Sequence, residues 1–565
     1  MLEELKNIIK GEISSDEKEL SIYSHDTSIF EIKPKIIIHP KDAEDIKNLV
    51  KWVADNKDHN KELSLTARSG GTDMTGGTLN DSIILDFTAH FNRILLVGDN
   101  SAVVEPGVFY RDFEKETLKK NLLLPSYPAS REICTVGGMV SNNAGGEKSL
   151  RYGKTEDYIE ELSVILSDGG EYILKSLTPE ELEQKKSQND FEGETYRQMH
   201  DLLKSNSELL QKAKPNVSKN SAGYFLWNVC PPAQAGDRQK FDLTRLFTGA
   251  QGTLGLITKI KFRLIRPNKY SRLLILFLHD LKSLGEIINL VKKSEPEGFE
   301  SYDDNVFRLA IKILPDLIKK MGIISMFKFV PDVWTILTGL GVGSHGGALA
   351  RLGISVGIPK MIMLVEFTGD DEGGLMDKTK KCQKEISDKF GLKTRIAKDD
   401  SDAQKYWIIR RESFNLLRKH VKGKKTAPFI DDIIVRPEYL PEFLPKLNQI
   451  LDQYKNYMIY TVQGHPGDGN FHVIPLMDLS NDKSKQIIPE LSEKVYNLVL
   501  EYHGSITAEH NDGLIRTPYL EKMYGPEIYK LFEKTKQIFD PKNIFNPRKK
   551  VGGNMKYAMA HISKK

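Results

Sequence analysis

The chain has 565 residues, of which 39% are hydrophobic and 28% are charged, and its formal net charge is +4. This length exceeds what one hydrophobic core normally supports, so we expect two or three domains. The 81 basic and 77 acidic residues nearly cancel, which argues against nucleic acid as a partner. Three scattered cysteines exclude a cysteine-ligated iron–sulfur cluster and a disulfide framework, which favours a reducing compartment. Residues 1–10 predict a charged amphipathic helix, not a signal peptide, so we expect a cytoplasmic protein.

The first part of the chain alternates between strand and helix patterns. Residues 36–40 predict a strand, and the apolar spacing from Ala43 to Ala54 predicts an amphipathic helix. A further buried strand is predicted at residues 83–86. This order is typical of an α/β unit.

A glycine-rich loop follows the strand-like residues Leu63 and Leu65. It contains two glycine pairs that are separated by hydroxyl residues. Glycine lets backbone amides approach a ligand closely, and successive amides in such turns form a site for an anion. The candidate binding residues of this loop are Arg68, Ser69, Gly70, Gly71, Thr72, Thr75 and Gly76.

A second glycine-rich segment lies about seventy residues further on. Its candidate binding residues are Pro128, Ser130, Gly137, Gly138, Asn142, Asn143, Gly145, Tyr152 and Gly153. Two such loops at this separation suit a long ligand with a pyrophosphate, such as a dinucleotide. Either loop alone is equally well explained as a set of ordinary tight turns.

In this order the two loops resemble the FAD-binding domain of the vanillyl-alcohol oxidase and p-cresol methylhydroxylase type. Residues 248–257 are similar to the third signature of that family, although the family more often has Ser-Glu where this chain has Ala250-Gln251. Residues 538–547 resemble its closing segment. The resemblance implies further FAD contacts at Gly252, Thr253, Ile257 and Asn546. Members that attach FAD covalently often carry histidine where Thr72 stands, so non-covalent FAD is implied.

The resemblance also implies an α+β fold in three parts. Residues 1–267 would form a two-subdomain FAD-binding domain, with the boundary near Arg266-Pro267. Residues 268–500 would form an α+β substrate cap domain with an apolar insertion around 310–360. Residues 501–565 would form a C-terminal segment that returns to the flavin and completes the active site.

The insertion contains a stretch, residues 333–350, without Lys, Arg, Asp or Glu. Its length touches the lower limit for a membrane span, but five glycines make it a poor helix. It is therefore either a membrane-facing or partner-facing surface, or a buried part of the cap. Residues 341–346 also fit G-x-G-x-x-G, with Glu366 twenty residues later, as in a nicotinamide-dinucleotide site. The helix that should follow is interrupted by glycine and proline, so we favour FAD.

The clearest chemical pattern lies near the C-terminus, where His465 and His472 flank a Gly-Asp-Gly-Asn turn. We predict a two-residue hairpin at Asp468–Gly469 that places the two imidazoles opposite each other, with Cβ atoms about 5 Å apart. They could then share a metal ion, although one exposed and one packed histidine is the alternative. Glu509 would complete a two-histidine, one-carboxylate site and leave His510 as a general base. By itself the Glu509-His510 pair is equally typical of a surface loop.

These segments resemble the D-lactate dehydrogenase, D-2-hydroxyglutarate dehydrogenase and glycolate oxidase flavin-subunit family. The first histidine motif matches without a gap, whereas Asn511 and Asp512 depart from the second. The resemblance implies oxidation of a D-2-hydroxy acid, with a divalent metal, zinc being the expected ion. Trp407 to Arg410 match a segment whose arginine binds the substrate carboxylate. The implied roles are metal binding by His465, His472 and Glu509, proton abstraction by His510, and substrate binding by Arg410.

The electrons must leave the reduced flavin through an acceptor other than oxygen. We expect a quinone, a cytochrome, an electron-transfer flavoprotein or an iron–sulfur protein, and peripheral contact with the inner face of the membrane through residues 333–350. Two further classes stay open. One is a non-redox flavoenzyme resembling an ether-lipid synthase, and the other is an FAD-fold subunit of a larger oxidase.

Overall fold

The computed structural model describes residues 1–231, 240–306, 359–420 and 423–563, with the backbone alone over 412–420. The chain divides into two compact units. The first unit contains Met1–Ser149, Gly153–Pro267 and Ser505–Lys565, and the second contains Leu150–Tyr152 and Asn268–Gly504. The apolar stretch 333–350 and the G-x-G-x-x-G pattern at 341–346 lie outside the described residues. No helix in the described ranges combines the length and the apolar character that crossing a membrane requires.

The first sheet of the first unit is mostly parallel. Its strands are β1 (Glu12–Ser14), β2 (Ile36–His39), β3 (Leu65–Arg68) and β4 (Ile83–Asp86), in the order β1-β2-β4-β3. β4 runs parallel to both β2 and β3, and β1 is antiparallel to β2. β3 delivers the chain directly into the first glycine-rich loop.

The predicted helix beside this sheet is confirmed as Ala43–Asn56. It begins where the Asp42 carboxylate accepts the Asp45 amide at 3.2 Å, which is a typical N-cap. The apolar side chains at the predicted helical spacing are fully buried and pack into one core with the sheet. Each contributes about 1.5–3 kcal/mol by leaving water.

The second sheet of the first unit is antiparallel throughout the described residues. Its strands are β5 (Ile94–Val97), β6 (Ser101–Val104), β7 (Ile159–Ile165), β8 (Glu171–Leu177), β9 (Phe241–Asp242) and β10 (Leu256–Arg263), in the order β5-β6-β10-β7-β8-β9. β10 begins at the end of the third glycine-rich segment, residues 248–257. That segment is therefore held at the entrance of a central strand.

Helices connect and flank these two sheets. Besides Ala43–Asn56, they are Leu2–Ile8, Glu17–Tyr23, Tyr110–Leu118, Val136–Asn142, Pro179–Lys186, Phe191–Ser205, Ser207–Ala213, Leu226–Val229, Thr244–Phe247, Gly513–Arg516, Leu520–Phe539 and Met555–Ala560. Three of these helices, Pro179–Lys186, Phe191–Ser205 and Ser207–Ala213, follow one another closely along the chain. The short helix Ser149–Tyr152 begins in the first unit and continues into the second. The C-terminal segment returns to the first glycine loop, because the Leu514 amide donates to the Thr75 carbonyl at 2.8 Å.

The second unit is built on one antiparallel sheet. Its strands are β11 (Tyr270–Leu278), β12 (Gly298–Asp303), β13 (Met361–Gly369), β14 (Lys393–Ile396), β15 (Lys425–Thr426), β16 (Ile433–Ile434), β17 (Met458–His465) and β18 (Asn470–Met477). The described order is β14-β11-β13-β12-β17-β18-β15, and β16 also pairs with β18. Its helices are Leu284–Lys293, Glu372–Phe390, Asp400–His420, Leu440–Asp452 and Asp482–Glu501. Together with the first unit, this confirms the predicted α+β class.

Candidate active site

The first unit contains an open groove formed by the three glycine-rich segments. Its empty space, including the part open to solvent, is about 890 Å³. The predicted cofactor residues that line it are Arg68, Ser69, Gly70, Gly71, Thr72, Gly137, Gly138, Asn142, Gly252 and Ile257. A long ligand could therefore contact all three segments at once.

Close packing holds the first two segments against each other. The Ser69 and Thr135 hydroxyls are hydrogen bonded. A Cβ atom at Gly70 would lie only 2.8 Å from the Ile133 carbonyl oxygen, so this position requires glycine. Segments that are far apart in sequence thus form one wall of the groove.

The first loop presents backbone donors to the groove. The amides of Ser69 to Thr72 have no protein acceptor within the described part of the chain, and Gly71 has a φ of +63°. Further along the loop, the Asp73 carboxylate accepts the amides of Thr75 at 3.0 Å and Gly77 at 2.7 Å. The donors available to an anionic ligand are therefore those at the start of the loop.

Charged groups at the groove have perturbed protonation equilibria. The Arg68 guanidinium donates to the carbonyls of Tyr23 and His25 at 3.2 and 2.7 Å. Burial lowers the pKa of Arg68 from its usual value. Burial, with a smaller effect of the Asp73 carboxylate, raises the pKa of Asp26 to about 7. The first loop therefore has a buried cation at one end and, near it, a carboxyl group with a raised pKa.

Gln251 connects the third segment to the second and to the C-terminal segment, although its departure from the family pattern gave no reason to assign it a role. It lines the groove, and its amide donates to the Ser141 carbonyl at 3.0 Å. Its side-chain oxygen accepts the Gly513 amide at 2.9 Å. The sequence signal for a role of Gln251 was its position within residues 248–257, the segment similar to the third family signature. The contacts of Gln251 depend on the tertiary structure.

The other predicted cofactor residues lie outside the lining of this groove, and their direct contact with a cofactor stays a prediction. They are Thr75, Gly76, Pro128, Ser130, Asn143, Gly145, Tyr152, Gly153, Thr253 and Asn546.

Three of these residues have structural contacts or positions outside the groove. The Asn546 amide donates to the carbonyls of Gly77 at 2.9 Å and Gln251 at 2.6 Å. Asn143 ends the helix Val136–Asn142 with a φ of +51°. Tyr152 belongs to the second unit, where its hydroxyl donates to Glu297 at 3.1 Å.

Glu509 lies in the first unit and is 7% exposed. Its carboxylate accepts from the buried Lys219 ammonium at 3.3 Å. A Cβ atom at Gly145 would approach the same carboxylate to 2.9 Å, so this glycine leaves room for Glu509. Neither contact was predicted.

Asn511 occupies the position that glycine more often has in the second histidine motif. It has a φ of +72°, which asparagine tolerates better than most residues. Its side chain donates to the carbonyls of Asn142 at 3.2 Å and Gly249 at 2.9 Å. The departure from the motif is thus accommodated without loss of the backbone turn next to His510.

The predicted hairpin exists, but its predicted register is wrong. His465 pairs with Asn470 and Gln463 pairs with His472, so the connection is four residues long instead of two. The turn closes through donation from the Asp468 amide to the His465 carbonyl and from the Gly469 amide to the Pro466 carbonyl, both at 3.0 Å. Proline has no N–H to extend the ladder, which ends the pairing at His465. The two histidines are diagonal neighbours on one face of the sheet.

The two imidazoles nevertheless converge, and their Nε2 atoms are 3.3 Å apart. Each ring has a buried carboxylate behind its Nδ1 atom: Glu300 for His465, and Asp431, at 3.1 Å, for His472. Because a carboxylate only accepts hydrogen bonds, Nδ1 carries the proton in both rings. Two Nε2 lone pairs then face each other. A proton on one ring or a cation bound by both relieves this repulsion.

Arg410 lies in the same unit and is 8% exposed. Its guanidinium is paired with Glu300, with Nε and Nη2 at 3.0 and 2.9 Å from Oε2. Its Nη1 atom donates to the Gln463 side chain at 3.2 Å. Glu300, Asp431 and Gln463 are therefore site residues that sequence reasoning missed.

The predicted functional residues come from both compact units. His465, His472 and Arg410 belong to the second unit, where Glu300 joins His465 to Arg410 and the His465 imidazole faces that of His472. Glu509 and His510 belong to the first. The complete metal site stays a prediction.

Known structures share this fold. The 4-ethylphenol oxidase from Gulosibacter chungangensis matches with a TM-score of 0.66 and 15% identity, over 98% of this chain and 97% of that chain. The protein thus has the fold of a flavoprotein of the vanillyl-alcohol oxidase type. Residues 34–174 match the family described as FAD binding domain, and residues 267–550 match the family described as FAD linked oxidases, C-terminal domain. The chain belongs to the FAD-linked oxidase family.

The chain is similar to two curated dehydrogenases that differ in the substrate for which they are named. The D-2-hydroxyglutarate dehydrogenase of Pseudomonas putida is 26% identical over 97% of this chain and 51% of its own length. The D-lactate dehydrogenase of Anaerostipes hadrus is 23% identical over 97% of this chain and 96% of its own length. The chain thus spans about half the length of the first of these relatives.

Proposed function

We propose that this protein is an FAD-dependent dehydrogenase that oxidises a D-2-hydroxy acid to the corresponding 2-oxo acid. The observation that carries the proposal is the convergence of His465 and His472, each oriented by a buried carboxylate, in a chain of the FAD-linked oxidase family. D-2-hydroxyglutarate and D-lactate are the first candidate substrates, because relatives similar over nearly this whole chain are named for them.

The groove of the first unit is the proposed FAD site. When bound, FAD supplies the oxidant that accepts a hydride from the substrate. The amides of Ser69 to Thr72 and the Arg68 guanidinium suit the pyrophosphate, because they combine a backbone nest with a positive charge. Thr72 stands where a covalently attached flavin would often have a histidine, which supports non-covalent binding.

The proposed metal ligands are His465, His472 and Glu509. Two nitrogens about 2.0–2.1 Å from a tetrahedral zinc ion lie about 3.3–3.4 Å apart. This matches the observed separation of 3.3 Å between the Nε2 atoms. The carboxylates behind both rings are the usual partners of metal-bound histidine. When bound, the ion supplies a Lewis acid that lowers the pKa of a substrate hydroxyl.

Arg410 and His510 complete the proposed mechanism. The Arg410 guanidinium binds the substrate carboxylate and fixes the orientation of the carbon that is oxidised. His510 accepts the hydroxyl proton as that carbon is oxidised, and such general base catalysis typically contributes about 10²–10⁴-fold in rate.

The proposed electron acceptor is a quinone, a cytochrome, an electron-transfer flavoprotein or an iron–sulfur protein. The three cysteines, Cys134, Cys230 and Cys382, form no disulfide with one another, which agrees with a reducing location. We place the enzyme in the cytoplasm or on the inner face of the membrane.

An anaerobic screen of D- and L-2-hydroxy acids tests the function, with flavin absorbance as the readout. We expect D-2-hydroxyglutarate or D-lactate to bleach the flavin and their L-isomers to leave it oxidised. His510→Ala should keep its flavin and lose the bleaching. A yellow protein that no 2-hydroxy acid reduces would favour a non-redox flavoenzyme of the same fold, and normal reduction of His510→Ala would remove this residue from the mechanism.

A further inference from the structure

We infer that Glu300 is a positioning residue that orients both His465 for metal binding and Arg410 for substrate binding. This inference rests on the proposed function, because it assigns the two partners of Glu300 the roles proposed above. Glu300 itself would touch neither the metal nor the substrate.

Glu300 lies on β12, in the middle of the described sheet of the second unit. Ser301 pairs with Gly464 on β17, so the next step of the same register places Glu300 beside His465. The side chain of Glu300 is fully buried. It is rigidly placed because β12 is hydrogen bonded on both sides, to β13 and to β17.

The two carboxylate oxygens of Glu300 serve different partners. Oε1 accepts from Nδ1 of His465, and Oε2 accepts from Nε and Nη2 of Arg410. These partners lie 165 and 110 residues away in sequence. One buried group therefore connects a proposed metal ligand with the proposed substrate-binding cation.

A carboxylate at position 300 can accept from His465 and from Arg410 at the same time. Both partners are donors, and each takes a separate acceptor oxygen. An amide of the same size has one acceptor oxygen and one donor nitrogen. Glutamine at position 300 would either present its NH₂ group to the Arg410 guanidinium or present it to Nδ1 of His465. In the second case the ring proton moves to Nε2, and that nitrogen can no longer bind a metal.

Asp431 provides a matched comparison. It lies behind Nδ1 of His472 at 3.1 Å and is fully buried. Asp431 faces His472, whereas the Arg410 guanidinium is paired with Glu300. Loss of the Asp431 charge should therefore weaken metal binding and spare the carboxylate contact of the substrate, whereas loss of the Glu300 charge should affect both.

The test compares the wild-type holoenzyme with Glu300→Gln, Glu300→Asp, Asp431→Asn and the control Glu366→Gln. Glu366 lies on the neighbouring strand β13 and accepts from the Ser271 hydroxyl at 2.8 Å. The zinc dissociation constant is measured by competition with a chromophoric chelator. The value of kcat/KM for the D-2-hydroxy acid is measured at saturating zinc, and the thermal midpoint reports folding.

We expect Glu300→Gln to raise the zinc dissociation constant by about 10–100-fold, as for other carboxylates behind metal-bound histidines. At saturating zinc its kcat/KM should still fall, by up to about 10²-fold, because Arg410 loses its orientation. Asp431→Asn should raise the zinc dissociation constant without lowering kcat/KM at saturating zinc. Glu366→Gln should change neither value. Glu300→Asp keeps two acceptor oxygens and should recover part of the zinc affinity, which a merely structural role would not predict.

Zinc affinity and kcat/KM in Glu300→Gln equal to those in Glu366→Gln would overturn the inference alone. The same conclusion follows if the losses in Glu300→Gln only track a lower thermal midpoint and Glu300→Asp recovers nothing. A wild-type protein that binds no metal yet is bleached by a D-2-hydroxy acid would overturn the inference together with the metal part of the proposed function. The screen of hydroxy acids decides the rest of that function separately.

Discussion

Buried charges in the first unit are held by partners from distant parts of the chain. The Lys219 ammonium is 3.3 Å from the Glu509 carboxylate, and Lys550 is 2.8 Å from Asp512. All four groups are buried. Removal of one partner from such a pair typically costs about 3–5 kcal/mol, because the other charge is left uncompensated in a low-dielectric interior. The segment that contains the proposed base His510 is therefore fixed by ion pairs on both sides.

Gly145→Ala tests the room that this glycine leaves for Glu509. The new methyl group would lie 2.9 Å from the Glu509 carboxylate and 2.8 Å from the Ser149 hydroxyl, so both side chains must shift. We expect the flavin to stay bound and substrate-dependent flavin reduction to slow by up to about 10²-fold. Stopped-flow absorbance under anaerobic conditions measures this rate.

The control for this change is Gly373→Ala. The nearest atom to a Cβ at Gly373 is the Asp371 carboxylate, at an ordinary 3.7 Å, and this glycine lies in the first turn of a helix. The Gly373→Ala protein should reduce its flavin at the wild-type rate. Equal rates of flavin reduction in Gly145→Ala and Gly373→Ala would show that the Glu509 side chain does not need the space that Gly145 leaves.

Lys549 gives a prediction about pH. Its ammonium is buried and donates to the Leu79 carbonyl at 2.6 Å, and burial, with the nearby Arg548, lowers the pKa of Lys549 to about 7. Between pH 7 and about 10.5 the unfolded chain holds this proton and the folded chain does not. The free energy of unfolding should therefore rise with pH across this window, by at most about 1.4 kcal/mol per unit.

Lys549→Met should flatten this rise, because the group that titrates differently in the two states is gone. Urea unfolding at pH 7 and pH 9 measures the slope in the variant and the wild type. Lys534→Met, at an exposed position of the same region, controls for the loss of a lysine as such. Parallel slopes in Lys549→Met and the wild type would contradict the assignment.

At the scale of elements, the hairpin formed by β17 and β18 organises the second unit's part of the site. Its sequence predicted a hairpin and the convergence of two histidines, and both are observed, but the connection has four residues instead of the predicted two. The register was wrong because the prediction counted residues symmetrically about Asp468–Gly469, whereas Pro466 cannot extend the ladder. A diagonal pair on one face still brings long side chains together.

Gly469→Ala should destabilise this hairpin severely. Gly469 has a φ of +78°, and a Cβ atom there would lie 1.9 Å from the Val435 carbonyl oxygen. The conformational cost for a non-glycine residue is about 1–2 kcal/mol, and the clash with the backbone adds to it. We expect a clear fall in the thermal midpoint, measured by circular dichroism.

Gly391→Ala separates the two contributions. Gly391 has a φ of +62°, but nothing lies within 4 Å of a Cβ atom there, so it carries the conformational cost alone. Its midpoint should fall by much less than that of Gly469→Ala. Similar losses in the two variants would mean that the contact with Val435 relaxes freely.

At the scale of the whole molecule, the two halves of the proposed chemistry are built in different units. The groove is lined by residues of the first unit, whereas the two imidazoles, their carboxylates and Arg410 belong to the second. Each unit has its own sheets and its own buried side chains. Glu509, the third proposed metal ligand, belongs to the first unit, but none of the three proposed ligands lines the groove. We therefore expect flavin to stay bound when the metal is removed.

Removal of metal by a chelator tests this separation. We expect the treated protein to keep its flavin spectrum and to resist reduction by the D-2-hydroxy acid, and added zinc should restore reduction. Gel filtration followed by absorbance and metal analysis measures both contents in one sample. Release of flavin together with the metal would contradict independent sites.

The sequence by itself determined the secondary structure around the site and the residue types that could do the chemistry. Glycine-rich segments, helical apolar spacing and a Gly-Asp-Gly-Asn turn act over a few residues. Their patterns therefore predicted the groove loops, a helix from Ala43 to Ala54 and the histidine pair. Only the tertiary structure decided which buried charges meet. Glu300 and His465 are 165 residues apart, and Lys219 and Glu509 are 290 apart. Such pairs follow from strand pairing and burial, which bring distant residues into contact without any local sequence signal.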